Sequence, residues 1–306
     1  RDAVLNADRN PGQEHVTVPA SRGRARGRER GRSRRRFPHV GWGSIAILVS
    51  CFLVGLFAAY LSPHDPTAFI SYTPFEPASA SARLGTDYMG RDLLSRLIGG
   101  TRLTLSMALA ATLLAHVVGD TLGLLAAVKG GVVDAVLSRV VDVALSLPKI
   151  IVGLVVVAAL GSSINVIVVV AGMVYAMSVF RIARALGRDM VEQDFVRAAR
   201  ARGEGTFWVL FGEIVPNVVR PLAADFAIRM SFAILFMSSL SFLGLGVQPP
   251  LADWGGLVRE NLDGLGAGSL APIYPAAAIA IVSIALNLLV DVLGDKHDAV
   301  VRQGQS

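Results

Sequence analysis

Cysteine is nearly absent from this chain, which has Cys51 alone among its 306 residues. An intramolecular disulfide is therefore excluded, and no histidine, cysteine or aspartate cluster has metal-ligand spacing, so we predict no metal site. The phosphate-binding pattern Gly-x-x-x-x-Gly-Lys-Ser/Thr is missing, and not even a Gly-Lys pair occurs. Serine and histidine are scattered without an activated-nucleophile pattern. We expect no ATP site, no cofactor and no catalytic residue in this chain.

Net positive charge is also absent from most of the sequence, although the formal net charge is +6. The first 36 residues hold eleven arginines against four acidic residues, whereas the remaining 270 hold 18 basic and 19 acidic residues. The basicity belongs to a tail, residues 1–41, which lacks apolar periodicity and is predicted to be disordered. Its arginines either attract anionic lipid or nucleic acid, or hold the N-terminus in the cytoplasm as a topology signal. We favour the topology signal and predict no nucleic-acid partner.

Long hydrophobic runs are what the chain has in abundance. Hydrophobic residues make up 53% of it, and the mean hydropathy of +0.56 is typical of a polytopic membrane protein. A bilayer crossing needs roughly 20 apolar residues. Lipid forces each segment to satisfy its own backbone hydrogen bonds, and the runs lack the alternation of barrel strands, so we predict an all-α protein. Six candidate transmembrane helices lie at 42–61, 103–127, 137–160, 164–182, 219–243 and 272–293.

The distribution of arginine predicts the orientation of these spans. With the N-terminus inside, six spans return the C-terminus to the cytoplasm, where 295–306 forms a short tail. The loop 183–218 then faces inward and is rich in arginine, whereas the loop 244–271, which faces outward, has one. This bias agrees with the positive-inside rule. The loop 62–102 also faces outward, and 103–294 is predicted to be the membrane core.

The inner loop 183–218 is the most informative segment. A helical wheel over Asp194–Arg202 places Phe195, Ala198 and Ala199 with the stem of Arg202 on one face and two arginines on the other. Gly203 stops this helix, and Pro216-Asn217 closes a second apolar turn before the next span. The helix either docks against a soluble protein or rests on anionic lipid. The candidate docking residues are Asp194, Phe195, Arg197, Ala198, Ala199, Arg200, Gly203, Glu204, Pro216 and Asn217.

Ionisable residues also occur inside the predicted spans, where charge is costly and often functional. His116 and Asp120 are four residues apart, as are Asp225 and Arg229, so each pair shares a helix face. These four residues either line a translocation path, or pair internally, or are buried against a second subunit. All three alternatives are open from the sequence.

The inner-loop pattern resembles a known signature. Arg197-Ala-Ala199, Gly203 and Ile214-Val-Pro216-Asn217 resemble the Glu-Ala-Ala…Gly…Ile-x-x-Pro signature of inner-membrane permease subunits of ABC importers. Two positions depart from that signature. Arg197 stands where the family has an acidic residue, and Glu213 stands where a basic residue is frequent.

Two outer motifs resemble one branch of that family, the dipeptide, oligopeptide and nickel importers, and within it the "C" permeases. One is Leu84-Gly-Thr-Asp…Gly90-Arg-Asp-Leu-Leu-Ser-Arg96; the other is Leu240–Pro250 followed by Asp253-Trp-Gly255. In the first motif, Arg91 and Arg96 either reach lipid headgroups or pair with two nearby aspartates. The motif residues singled out are Gly85, Thr86, Asp87, Gly90, Arg91 and Asp92.

The resemblance, which covers residues 42–298, implies a multi-pass permease of the type I importer fold in a bacterial inner membrane. It implies a second permease subunit as heterodimer partner, two ATPase subunits that carry ATP and magnesium, and a periplasmic or lipid-anchored solute-binding protein. It also implies that the inner-loop helix is a coupling helix seated on an ATPase. The competing hypothesis is a self-sufficient secondary transporter or channel, which inverted repeats and broken helices would favour. The solute, a peptide, an opine or a nickel complex, cannot be read from the sequence.

Overall fold

The structure is a computed structural model that describes residues 38–303, with side-chain surroundings for residues 42–290. Over this range the chain is helical, and it contains no β-strand beyond two isolated bridges, as predicted for an all-α protein. A π-helical segment, Val209–Ile214, joins α8 to α9, and a 3-10 turn, Leu262–Leu265, follows α10. In chain order the helices are α1 (Pro38–Leu56), α2 (Ala58–Leu61), α3 (Leu93–Lys129), α4 (Gly131–Leu145), α5 (Lys149–Leu160), α6 (Ile164–Val191), α7 (Asp194–Ala201), α8 (Thr206–Trp208), α9 (Val215–Phe242), α10 (Trp254–Glu260) and α11 (Ile273–Gln303).

Four helical stretches of the described chain are long and apolar enough to cross a bilayer. A fifth arises if α4 and α5 count as one broken span, and the apolar Trp42–Leu56 is shorter than these. The count is thus four or five where six were predicted. The predicted N-terminal tail falls largely outside the described residues, whereas the backbone of the predicted C-terminal tail continues α11 to Gln303. The four stretches are Leu93–Lys129, Ile164–Val191, Thr206–Phe242 and Ile273–Val290.

The predicted span 137–160 is broken. The axes of α4 and α5 differ by 85°. Pro148 lies at the break, immediately before α5, with φ −60° and ψ 122°. Proline has no N–H to donate, and its ring disfavours helical geometry at the preceding residue, so a continuous helix through this point is disfavoured.

Two other boundaries differ from the predictions. α6 continues past 182 to Val191, and the helical path into α9 begins at Thr206 and not at 219. Pro216-Asn217 therefore does not end the second turn. The π-helical segment ends directly before α9, and Pro216 is the second residue of α9. A π segment changes the local hydrogen-bond ladder, and the first turn of a helix tolerates a missing N–H.

The helices α3 and α6 pack closely because glycine lines their contact. A Cβ atom on Gly119 would lie 2.7 Å from the carbonyl oxygen of Ala176, and one on Gly123 would lie 2.6 Å from that of Phe180. On α6, a Cβ on Gly187 would lie 2.7 Å from the methyl group of Ala127. Small residues at such spacings let membrane helices approach through their backbones. The main buried core, which includes Ala115, lies between these helices and α9.

The two ends of α3 define the two ends of the molecule. At its N-terminal end, the segment 62–92 and α10 form a cap: Tyr88 N donates to Asn261 Oδ1 at 3.1 Å, and Trp254 N donates to Thr104 Oγ1 at 3.0 Å. At its C-terminal end lie the last turns of α6, then α7 and the π-helical segment. The predicted outer and inner loops therefore lie at opposite ends of the same bundle.

Candidate functional site

One narrow apolar face attaches α7 to the bundle. Val196 and Ala199 have no exposed surface, and they pack in one cluster with Leu210 and Ile214. In addition, Arg200 Nη2 donates a hydrogen bond of 3.0 Å to the carbonyl of Val128, near the end of α3. Carbonyls in the last turn of a helix have no partner within that helix, so this bond satisfies one of them. The short helix is thus fixed to the start of α9 and to the end of α3.

The C-terminus of α7 is closed by a Schellman motif. Glu204 N donates to Ala199 O at 3.2 Å, and Gly203 N donates to Arg200 O at 3.0 Å. This pair of bonds requires a left-handed residue, and Gly203 has φ +84°. No atom lies within 4 Å of a Cβ placed there, so backbone conformation alone calls for glycine. The prediction that this glycine stops the helix is confirmed.

The opposite face of α7 is open. Phe195 is 38% exposed, and Ala198 and Arg202 are also exposed, as the helical wheel predicts for a docking face. The structure differs from the wheel at Ala199, which is buried. The reason is Val196, which lies three residues before Ala199 and therefore on the same face of the helix. The apolar Val196 side chain packs into the bundle, so Ala199 is buried with it. Asp194 and Arg197 complete the exposed side, 4.0 Å apart.

The remaining docking candidates surround the start of α9. Arg202 lies between Glu204 at 3.9 Å and Glu213 at 3.5 Å. Asn217 Nδ2 donates to the carbonyl of Glu213 at 2.6 Å, one turn away. Glu213, which departs from the family signature, therefore has an arginine of this same chain beside it. Apart from the buried Ala199, the predicted docking residues lie on α7, directly after it, or in the first turn of α9.

The four ionisable residues predicted inside the spans come together between α3 and α9 as one group, the ionic cluster His116–Asp120–Asp225–Arg229. Within α3, His116 Nδ1 lies 3.0 Å from Asp120 Oδ2. Within α9, Arg229 Nε donates to both oxygens of Asp225, at 3.1 and 3.2 Å. Between the helices, His116 Nε2 lies 3.9 Å from Asp225 Oδ2. The predicted intrahelical pairs exist, and a contact that the spacing did not predict joins them.

The ionic cluster is buried but not fully hydrogen-bonded. His116 is 8% exposed and Asp225 is 5% exposed. Among the described residues, His116 Nε2 and Asp120 Oδ1 have no hydrogen-bond partner. Two helices thus meet at a polar contact of 3.9 Å, which is too long to be a hydrogen bond and can be made or broken by a small shift.

The outer motif forms a buried ionic network, the cap network Asp87–Arg91–Arg96–Glu260. Asp87 has no exposed surface, and its Oδ2 accepts from Arg91 Nε at 2.7 Å and from Arg96 Nη1 at 2.5 Å. Arg96 Nη1 also donates to Glu260 Oε2 at 2.9 Å. Of the two sequence alternatives, pairing with aspartate is therefore the one that the structure shows. Asp92 instead caps α3, accepting from Ser95 N at 3.0 Å.

The other motif residues hold the backbone of the cap. Thr86 Oγ1 accepts from Glu76 N at 2.8 Å and donates to Thr73 O at 3.3 Å. Gly85 and Gly90 both have φ +78°, and a Cβ on either would collide with a backbone carbonyl oxygen of segment 62–92. These contacts make the motif a structural element at the outer end of α3.

Three further charged residues were missed by the sequence reasoning. Lys149 follows Pro148 at the α4–α5 break, where its Nζ donates to Ser178 Oγ at 2.8 Å and lies 4.8 Å from the ring centre of Tyr175. A charged residue inside the predicted span 137–160 could have identified Lys149 from the sequence. Asp134, at the start of α4, binds Arg184 and Arg188 of α6. No sequence pattern could have identified Glu260 as a partner of Arg96, because 164 residues separate the two.

Comparison with known proteins agrees with this geometry. Residues 119–303, more than half of the chain, match the family model described as binding-protein-dependent transport system inner membrane component. The chain belongs to this family. The matched region holds most of the bundle, the surface around α7 and all of the ionic cluster except His116.

Named relatives of this permease extend the match toward the N-terminus. It is 32% identical to a glutathione transport system permease protein, GsiD, of Pectobacterium atrosepticum, over 92% of this chain and 95% of the relative. It is 33% identical to a di/tripeptide transport system permease protein, DppC, of Pseudomonas aeruginosa, over 84% and 86%. It is 31% identical to a probable D,D-dipeptide transport system permease protein, DdpC, of Escherichia coli K12, over 83% and 86%.

The permease is therefore a multi-pass membrane subunit of an ABC importer of the peptide family, as the sequence motifs predicted. Its family is binding-protein-dependent, so it works in a complex with other transport components and a solute-binding protein. Its role is that of a transport component. The alternative of a self-sufficient transporter or channel finds no support in these comparisons.

Proposed function

We propose that this permease forms half of the solute path of a short-peptide importer and is moved by ATPase subunits that bind α7. The observation that carries the proposal is the two-sided character of α7. Its Val196–Ala199 face is buried in the bundle, whereas Phe195, Ala198 and Arg202 lie open beside the start of α9. A half-buried surface helix with an open face of small and aromatic residues suits a protein partner.

The attachment of α7 gives the proposed movement a route. The bond from Arg200 to Val128 links it to the end of α3, and the shared apolar cluster links it to the start of α9. These are the two helices that carry the ionic cluster. When the ATPase subunits close, α7 shifts as a rigid piece, and α3 moves relative to α9. Such a movement would change the distance between His116 Nε2 and Asp225 Oδ2, which is 3.9 Å in this structure.

The ionic cluster is our candidate for the polar part of the solute path. Peptides carry an ammonium and a carboxylate, and carboxylates with a guanidinium between α3 and α9 offer the matching charges. In this proposal Asp225 and Arg229 face the path in one of the two conformations, and His116 and Asp120 support them from α3. Internal pairing in the resting conformation keeps these charges neutralised.

The proposed assembly contains a second permease subunit, two ATPase subunits and a periplasmic or lipid-anchored binding protein in a bacterial inner membrane. ATP and magnesium belong to the ATPase subunits, so this permease needs no ATP site of its own. Support comes from the family and from the absence of a phosphate-loop pattern in the sequence. The relatives are named for glutathione, di/tripeptides and D,D-dipeptides, so we assign a short peptide as the solute class.

The proposal is tested by filling the open face of α7 without disturbing its buried face. We expect Ala198→Trp to leave membrane insertion unchanged and to reduce co-purification with the ATPase subunits by at least tenfold. A bulky ring on a docking face prevents close approach, and tenfold corresponds to about 1.4 kcal/mol. Ala185→Trp on α6 is the matched control, since Ala185 is also exposed but lies outside α7. Wild-type recovery of the ATPase subunits with Ala198→Trp would overturn the proposed docking site.

A further inference from the structure

A cavity of about 630 Å³ lies at the outer end of α3, apart from both α7 and the ionic cluster. Its walls come from α2, from the segment that follows α2, from the first turns of α3 and from residues 250–252. Volumes of several hundred Å³ are typical of small-molecule sites. Neither the coupling surface nor the proposed path uses this cavity.

Two of the lining side chains carry nitrogen atoms that make no hydrogen bond in the described chain. Arg96 is 3% exposed. Its Nη1 donates to Asp87 and Glu260 in the cap network, whereas its Nη2 makes no hydrogen bond. His64 Nδ1 likewise makes none, although it lies 3.6 Å from Asp92 Oδ2. Buried polar atoms are nearly always satisfied, so an unpaired guanidinium nitrogen on a cavity-lining arginine points to an acceptor that binds beside it.

A second lining arginine, Arg102, has no ion-pair partner in the described part of the chain. Arg102 is exposed in the third turn of α3, and no ion pair with it occurs within residues 42–290. The acidic lining residue, Asp65, accepts two hydrogen bonds from Thr67, at 2.8 and 2.7 Å, and keeps its negative charge. The lining residues hold two arginines, Arg96 and Arg102, against the one carboxylate of Asp65, so the charges around the cavity favour an anion.

The remaining wall is largely apolar and adjoins exposed apolar side chains of the first two helices. Ala58 and Ala59 of α2 and Leu103 of α3 line the cavity. On the first helices, Phe52, Leu56 and Tyr60 are 59%, 60% and 89% exposed, at four-residue spacing along one side. The chain becomes polar directly afterwards, at Ser62, which places the cavity at the depth where hydrocarbon gives way to headgroups.

We propose that this cavity binds the phosphate headgroup of an anionic phospholipid, with Arg102 and Arg96 Nη2 on the phosphate and the α2 wall against its glycerol and upper acyl chain. The site ties lipid to the outer end of α3, next to the cap network. It does not depend on the solute or on ATPase docking.

The test uses the full chain purified with its partner subunits in a mild detergent. Native mass spectrometry would count bound phosphatidylglycerol, with phosphatidylcholine and inorganic phosphate as parallel additions. We expect phosphatidylglycerol to be retained at low excess, while phosphatidylcholine is lost and inorganic phosphate does not displace it. Arg102→Gln should weaken phosphatidylglycerol binding roughly tenfold, because a hydrogen bond to a charged group contributes about that factor.

Two more variants keep the test decisive. Ala59→Trp fills the apolar wall, leaves both arginines in place and should also release the lipid. Arg83→Gln removes an exposed arginine of the same outer end that does not line the cavity, and should have no effect. Equal retention of both lipids, displacement by inorganic phosphate, or unchanged binding with Arg102→Gln and Ala59→Trp would each overturn the proposal.

Discussion

Single residues of the ionic cluster show how a charge is kept inside a membrane span. Asp225 is 5% exposed and accepts two hydrogen bonds from the Arg229 guanidinium on the next helical turn. Each charge is tolerable because the other is present. The two helices that carry the cluster then meet through His116, whose ring also lies 5.1 Å from that of Phe226.

Removing one partner of this pair should therefore harm the protein more than removing both. Asp225→Asn leaves the guanidinium of Arg229 buried without a counter-charge, and we expect a loss of about 3 kcal/mol in the free energy of unfolding. The double variant Asp225→Asn/Arg229→Gln should recover most of that loss. Unfolding in detergent, followed by circular dichroism, measures both. If the double variant were as unstable as Asp225→Asn, the unpaired charge of Arg229 would not be the cause of the lost stability.

For the ionic cluster, the sequence predicted only the contacts between residues that are close in the chain. Spacing of four residues on a helix is visible in the sequence, so His116–Asp120 and Asp225–Arg229 could be paired in advance. The contact between the pairs joins residues more than a hundred positions apart, and no local pattern encodes it. The same holds for Glu260 in the cap network, whereas the burial of Ala199 beside Val196 follows from tertiary packing.

At the scale of helices, the contact between α3 and α6 depends on glycine. The Cβ of a larger residue at Gly123 would lie 2.6 Å from the carbonyl oxygen of Phe180, a backbone atom that cannot rotate away. α3 and α6 would have to separate, which weakens the packing that drives association of membrane helices.

We expect Gly123→Val to lower the free energy of unfolding by about 1–3 kcal/mol, the usual range for overpacking. Gly43→Val is a matched control, because Gly43 also lies in a helix and has no atom within 4 Å of its Cβ position. The unfolding midpoint of each purified variant gives the comparison. Equal midpoints for the two variants would mean that α3 and α6 can adjust to a larger residue at no cost.

Helix boundaries were the weak part of the element predictions, for physical reasons. Hydrophobic content locates apolar runs but does not detect a bend within one, so 137–160 was read as one span despite Pro148. The opposite error occurred at Pro216, where a π-helical segment lets the helix continue through proline. Pro148 thus lies at a break between two helices, whereas Pro216 and Pro221 both lie within α9. Gly203, which ends α7 through its own backbone angle, was predictable from sequence.

At the scale of the whole molecule, the bundle separates two tasks along the length of α3. The outer end holds the cap network and the cavity, and the other end holds α7. A 37-residue helix spans about 55 Å at 1.5 Å per residue, which exceeds a bilayer with its headgroups. Both ends of α3 can therefore lie outside the hydrocarbon, and under the proposed coupling one continuous helix connects the α7 end with the outer end.

This arrangement makes the predicted orientation testable with two single-cysteine variants. In a Cys51→Ser background, Arg83→Cys introduces a thiol at the outer end and Ala198→Cys introduces one on α7, and both positions are exposed. We expect a membrane-impermeant maleimide to label Arg83→Cys in intact spheroplasts, and Ala198→Cys only after lysis, because the arginine-rich loop stays in the cytoplasm. The reverse pattern would invert the topology and place α7 out of reach of any ATPase. Labelling of both variants before lysis would mean that the bundle does not hold its two ends on opposite sides of a membrane.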